Sequence, residues 1–193
     1  MENVLPADEA AQLLAFAQEH ESEFGPSGVG NDDTQRVDPA VRVSRMVKMD
    51  KPIKAALRAR FGAMLPAIAK ALGTQSFEPV KIELQFVAHE DGAFYGRHID
   101  TATRQSGIGR RTISGVYYFH REPKAFTGGA LRLHNLLAGD GKGHVDIEPV
   151  HNSAAFFLAW MPHEVMPVAC PSGAFMDSRF AINCWYRSEK PAA

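Results

Sequence analysis

Cysteine is scarce in this 193-residue chain: Cys170 and Cys184 are the only two, with no CxxC pair between them. A disulfide framework or a four-thiolate zinc site is excluded, and so small a number suits a reducing compartment, although two cysteines can in principle pair. Long apolar runs are missing too, since no stretch approaches the ~20 residues that cross a bilayer. The N terminus reads Met-Glu-Asn-Val and soon reaches Asp8 and Glu9, without the basic flank and apolar run of a secretory signal. A cytoplasmic location is the expectation by default. Charge of one sign is lacking as well: 21 Lys and Arg face 22 Asp and Glu, a net charge of -1. That balance gives no global reason to expect nucleic acid or an anionic membrane as partner. Neither H-E-x-x-H nor G-x-S-x-G occurs, so two hydrolase signatures are absent. No internal repeat or low-complexity tract divides the chain, and its length fits one domain spanning residues 1–193.

What is present changes character along the chain. From Asp8 to His20, Ala11, Leu13, Leu14 and Ala17 recur at helical spacing behind Pro6. A second helix is expected from Asp50 as N-cap, with Pro52 in its first turn, through Ile53, Leu57, Phe61 and Leu65 towards Gly73. Pro66 inside it predicts a kink or an early end. Between the helices, Phe24 to Pro39 is rich in turn formers and reads as a surface loop or as a lid. It leads into an alternating strand over Val41–Val47. Residues 1–79 thus form a helical support region. From Val80 the period becomes two, with strands expected at Val80–Val87, His98–Thr101, Thr112–His120, Ala130–His134, Val145–Val150, Ala154–Ala159, Glu164–Val168 and Arg179–Tyr186. Turn signals such as Asp91-Gly92, Gly128-Gly129 and Pro171-Ser172-Gly173 separate them. So many short strands predict a mainly β sandwich or jelly roll over residues 80–187, flanked by the N-terminal helices.

Eight histidines invite a metal, and H-x-D occurs three times, at His89-Glu90-Asp91, His98-Ile99-Asp100 and His144-Val145-Asp146. Ligands at i and i+2 share a face only on a strand, and a third must arrive from a strand distant in sequence. The first pair runs into Gly92, a turn that would splay it. The third follows a Gly-rich loop and reads as an exposed strand start. His98 and Asp100 follow the compact run Gly92–Arg97, which places aromatic bulk beside them, and are the favoured pair. His163 comes where the apolar strand Ala154–Trp160 turns back, with room to face inward. Two imidazoles and one carboxylate leave three adjacent octahedral positions open, which suits Fe(II) oxygen chemistry better than a closed zinc site. The plain alternative for any one of these histidines is a satisfied core residue.

Tyr95-Gly96-Arg97-His98-Ile99-Asp100, Arg111-Thr112 with Tyr117-Tyr118, Gly128-Gly129-Ala130-Leu131, Pro162-His163-Glu164-Val165 with Pro167, and Arg179-Phe180-Ala181-Ile182 with Trp185-Tyr186 stand in this order. Together they resemble the prolyl-4-hydroxylase-like 2-oxoglutarate oxygenases, and the oxygen-sensing prolyl hydroxylases in particular, over roughly residues 80–187. The resemblance implies a double-stranded β-helix, a jelly-roll variant, with Fe(II) held by His98, Asp100 and His163. It implies 2-oxoglutarate and O₂ as co-substrates, with ascorbate as an accessory reductant. Arg179 would meet the distal carboxylate of 2-oxoglutarate with Tyr118 donating to it, and Leu131 would line the slot. Arg111, Trp185 and Tyr95 would border the substrate. Read from residue type alone, Tyr118 and Trp185 fit ordinary core packing, and Arg179 fits a surface ion pair.

Three departures bear on the substrate. His89 stands nine residues before His98, where the family often has Tyr. The stretch from Asp100 to Tyr118 is lengthened and carries Arg104, Arg110 and Arg111. A turn over Cys170–Phe175 is added between His163 and Arg179. The family favours a prolyl residue of a protein or peptide, while related enzymes hydroxylate free amino acids or small metabolites. Arg97, Arg104, Arg110 and Arg111 point to a carboxylate-bearing substrate or to a solvated loop face. Rival readings are a zinc hydrolase, a jelly-roll ligand sensor without turnover, and a nucleic-acid repair oxygenase, the last of which calls for a basic groove with stacking aromatics. Oligomeric state is not legible.

Overall fold

A computed structural model describes residues 1–29, 36–101, 109–134 and 143–189. Two helices come early. The first, α1 (Ala7–Glu19), buries Ala10, Leu13, Phe16 and Ala17 along one stripe. Short strands β1 (Gly25–Pro26), β2 (Arg42–Val43) and β3 (Arg45–Val47) lead to α2 (Lys51–Ala71). The Asp50 side chain caps α2, accepting from the Ile53 amide at 3.0 Å, and Gly73 takes a left-handed φ of 65° just past its end. Pro66 does not end this helix early, contrary to one expectation. The hydrogen bond lost there is outweighed by the apolar stripe Leu57, Phe61, Leu65 and Ile68, which stays buried across it.

The remaining strands are β4 (Lys81–His89), β5 (Phe94–His98), β6 (Arg110–Phe119), β7 (Thr127–Gly128), β8 (Leu131–His134), β9 (His144–Ile147), β10 (Ser153–Leu158), β11 (His163–Val165), β12 (Val168–Ala169) and β13 (Arg179–Ser188). They form a six-stranded sheet in the order β1-β3-β4-β13-β6-β10, a five-stranded sheet β2-β5-β11-β8-β9 and a small β12-β7 pair. Every pairing is antiparallel.

Alternation decides what each face of the larger sheet does. Leu84, Phe86 and Ala88 of β4, Ile113, Tyr117 and Phe119 of β6, and Phe180, Ile182, Cys184 and Tyr186 of β13 pack in one cluster with Leu13 and Phe16 of α1 and Phe61 and Leu65 of α2. The opposite face carries Val87, Tyr118 and Ala181, which pack with Leu131, Leu133 and Ile147 of the smaller sheet. Helices therefore back the larger sheet and the smaller sheet fronts it, the jelly-roll arrangement expected. Cys170 and Cys184 are both buried and unpaired. Among the described residues no helix is long and apolar enough to cross a membrane.

Three strand expectations need correction. Val41–Val47 is not one strand: β2 belongs to the smaller sheet and β3 to the larger, with the chain switching sheets at Ser44. The strand expected at His98–Thr101 lies earlier, as Phe94–His98, so it ends at His98. Glu164–Val168 is broken at Pro167, which has no amide to donate to a ladder, and its halves join different sheets.

Candidate active site

The two sheets leave a pocket between them whose walls carry most of the expected site residues. At its mouth, β5 and β11 run side by side with His98 and His163 as direct partners in the register. Their ring centroids are 4.2 Å apart. Asp100 lies in the bend beyond β5, where its backbone amide donates to the Ala159 carbonyl at 2.9 Å. The expectation that His98 and Asp100 share a strand face is therefore corrected. A tethered bend, not a pleat, brings the carboxylate in. Its oxygens stand 3.7 Å from His98 Nε2 and 3.5 Å from His163 Nε2, and donor atoms of all three residues lie within 4.8 Å of one another.

The far side of each imidazole is anchored. His98 Nδ1 lies 2.8 Å from the Gly96 carbonyl and His163 Nδ1 lies 2.9 Å from the Met161 carbonyl. A carbonyl only accepts, so both Nδ1 atoms carry the proton and both Nε2 lone pairs are left for a metal. Tyr95 stacks on His98 at 3.6 Å, and Phe157 meets His163 edge-on at 4.6 Å. Burial and the neighbouring His163 push the His98 pKa down to about 4, so its ring is neutral near pH 7. Burial alone would raise the Asp100 carboxyl, but His163, His98 and the Ser114 hydroxyl, which donates at 2.6 Å, bring it below the usual carboxylate range. Two imidazoles and a carboxylate fit a divalent metal that keeps open positions.

The other end of the pocket is built on β13, whose residues Arg179, Ala181, Asn183 and Trp185 alternate away from the helices. Arg179 is 1% exposed and has no carboxylate partner among the described residues, so it is buried and not on the surface, where residue type alone would allow an ion pair. Its Nη1 donates to His89 Nδ1 at 3.2 Å, and its guanidinium lies 4.9 Å from the centre of the Tyr118 ring. Arg179 Nε and Nη2, the Tyr118 hydroxyl and His89 Nε2 find no hydrogen-bond partner among the described residues. Burial, then Arg179 and Arg42, hold His89 well below its usual pKa, so it is a neutral ring whose Nε2 carries the proton. Burial raises the Tyr118 hydroxyl to about 12, keeping it a donor. Four buried donor atoms with nothing to bind are costly unless an anionic oxygen group satisfies them. Leu131, fully buried on β8, walls the same slot. Gly129 has φ 71°, and a Cβ there would stand 2.6 Å from Arg179 Cδ, so the arginine stem passes where a side chain would be.

Tyr95, Arg111 and Trp185 line the pocket rim. Arg111 stacks over the Trp185 ring at 3.9 Å and its Nε donates to Glu83 at 2.8 Å. Arg97 and Arg110 are exposed. Arg104 lies outside the described residues, as does the central part of the expected lid, residues 30–35. Three participants escaped the sequence reading. Ser114 was placed on the right face without its bond to Asp100. His89 was noted as a departure without its partner Arg179. Arg42 gave no local signal.

The sequence pattern of the 2OG-Fe(II) oxygenase superfamily matches residues 84–187. The chain is 34% identical, over 195 aligned residues, to an uncharacterized PKHD-type hydroxylase of Synechocystis. That alignment covers 98% of this chain and 62% of the relative, so the chain spans under two thirds of the relative's length. Among solved structures it is similar to a Pseudomonas putida prolyl-4-hydroxylase, with 26% identity, a TM-score of 0.66, and 98% of this chain and 91% of that one covered. In fold alone it is similar to the viral collagen prolyl hydroxylase of Paramecium bursaria Chlorella virus-1 in complex with 2-oxoglutarate, at 13% identity and TM-score 0.58, covering 97% of this chain and 94% of that one. The matched segment is more than half of the chain and contains the three clustered donors together with Arg179. This chain belongs to the 2OG-Fe(II) oxygenase superfamily.

Proposed function

We propose that this chain hydroxylates an aliphatic carbon of its substrate, with a prolyl group of a peptide or protein as the leading candidate and a free amino acid or small metabolite as the other. One observation carries the reading: a three-donor metal face and a buried, under-satisfied arginine line the same pocket. A chelating dicarboxylate calls for both functions in one pocket. The similarity to a bacterial prolyl-4-hydroxylase supports the prolyl choice.

His98, Asp100 and His163 are the proposed iron ligands, and Arg179 with Tyr118 the proposed seat of the distal carboxylate of 2-oxoglutarate. When bound, Fe(II), 2-oxoglutarate and O₂ together supply the oxidising power, with CO₂ and succinate as by-products. The chain contributes position. The Gly96 and Met161 carbonyls fix which imidazole nitrogen faces the metal, and Ser114 fixes the carboxylate. Arg179 and Tyr118 hold the co-substrate by its far end, where Leu131 and Phe157 keep water away. Tyr95, Arg111 and Trp185 border the opening through which the substrate's C–H bond approaches.

Residues 1–193 act as one unit in this proposal, because the helices of residues 1–79 share a continuous core with the larger sheet. Two buried, unpaired cysteines support a cytoplasmic setting. The test is anaerobic addition of Fe(II) and 2-oxoglutarate, which should produce a weak visible charge-transfer band, followed by O₂ and measurement of succinate. No band and no succinate would end the oxygenase reading.

A further inference from the structure

Arg42 is a buried cation facing the same pocket from a third direction. It is 6% exposed and sits on β2, the strand by which the chain enters the smaller sheet before crossing to the larger. Its five N–H groups meet only neutral acceptors: Nε donates to the Ser44 hydroxyl at 2.8 Å, Nη1 to the Gly28 carbonyl at 3.2 Å and Nη2 to Gln85 Oε1 at 3.3 Å. One N–H on each terminal nitrogen is left without an acceptor among the described residues. The nearby carboxylates are committed elsewhere. Glu83 pairs with Arg111 and Arg187 and Glu90 with Arg45, while Asp100, whose charge reaches Arg42 without a hydrogen bond to it, belongs to the three-donor cluster. A buried guanidinium with unmet N–H groups and no carboxylate hydrogen-bonded to it among the described residues is unfavourable unless something brings one.

We infer that Arg42 receives a carboxylate of the substrate, which makes the substrate class carboxylate-bearing. This rests on the oxygenase reading above. Arg42 is distinct from the co-substrate seat, since Arg179 already commands the slot beside Tyr118. Its guanidinium lies 4.8 Å from the centre of the Tyr95 ring, and the same ring stacks on His98 at 3.6 Å. A carboxylate on Arg42 would therefore sit within reach of a reacting carbon at the metal, both in one small molecule or in adjacent residues of a peptide. The remaining pair of N–H groups, one per terminal nitrogen, suits a two-oxygen anion. An amide of the same shape presents no charge and would leave the cation unbalanced.

The anaerobic Fe(II)·2-oxoglutarate protein is titrated with matched probes: L-proline against L-prolinamide, and end-blocked peptides in which proline is followed by glutamate against those with glutamine. Binding is read by calorimetry and by perturbation of the charge-transfer band. At least one carboxylate probe should bind about tenfold or more tighter than its amide twin. A preference in the free-amino-acid pair identifies a small acid, and one in the peptide pair an acidic peptide. Arg42→Gln should erase the preference while the band still forms, and Arg42→Lys should keep part of it. Because Arg42 also ties the sheets together, the wild-type probe ratio decides even where a variant does not fold. Equal affinities within both pairs, no binding by either carboxylate probe, a preference that survives Arg42→Gln, or a weakened 2-oxoglutarate affinity as the variant's main effect would each overturn the inference. Absence of the band itself would instead remove the oxygenase reading beneath it.

Discussion

The two ends of the pocket treat burial in opposite ways. At the metal end, every polar atom turned away from the centre already has a protein partner: both Nδ1 atoms rest on carbonyls and the Asp100 carboxylate takes a hydroxyl. At the Arg179 end, four donor atoms are shut away with none among the described residues. The first end is complete as folded and defines geometry. The second is complete only with a ligand, so binding there has a deficit to relieve. Buried polar atoms satisfied from within specify shape, and those left over specify a guest.

The largest expected effect strikes the complete end. Removing a donor by His98→Ala, Asp100→Ala or His163→Ala should abolish succinate formation. Near-normal turnover in any one would remove that residue from the metal sphere. Next comes the incomplete end: Arg179→Ala should raise the 2-oxoglutarate concentration needed for half-maximal turnover on the order of a hundredfold, since charged hydrogen bonds are lost in a dry setting. An unchanged requirement would make Arg179 structural. The deficit itself is measurable as a melting shift. Anaerobic 2-oxoglutarate at roughly a hundred times its dissociation constant should stabilise the Fe(II)-loaded chain by about 2.7 kcal/mol. For a chain of this size that is roughly 5–10 °C in Tm. Arg179→Ala should remove most of that shift at the same ligand concentration.

The smallest effect concerns acid. His89 is neutral when folded and has a lower pKa than when unfolded, so below its ordinary value near 6.5 the unfolded chain takes up the proton first. Its stabilising contribution is present above that pH and is lost as pH falls towards the folded value. The steepest slope from one such group is about 1.4 kcal/mol per pH unit. Denaturant titrations of the metal-free chain between pH 7 and 5 should show a fall in stability that is shallower in His89→Gln. Equal slopes would mean that His89 is not held neutral by its neighbours.

Much of this was legible in the residues. Period-two alternation puts Ser114, Val116 and Tyr118 on one face, and the aromatic run before His98 singles out the H-x-D whose donor atoms cluster with His163. What escaped depends on register between strands far apart in sequence. That His89 faces Arg179 is set by the β4–β13 pairing across ninety positions, and no local pattern encodes it. Arg42 was hidden by a change of sheet. Over Val41–Val47 alternation assigns one face, yet the switch at Ser44 turns Arg42 into the interior with β2. Asp100 does join the cluster with His98 and His163, but through the bend after β5 and not through strand pleating.

The missing side chain at Gly129 ties two distant stretches of backbone into one fitting. The Arg179 stem fills the room a methyl would take, at 2.6 Å from where that methyl would be. Neither position can be redesigned alone. Adding bulk at 129 would displace the arginine stem, so if this slot seats 2-oxoglutarate as proposed, reshaping it for a shorter diacid would need changes at both places together.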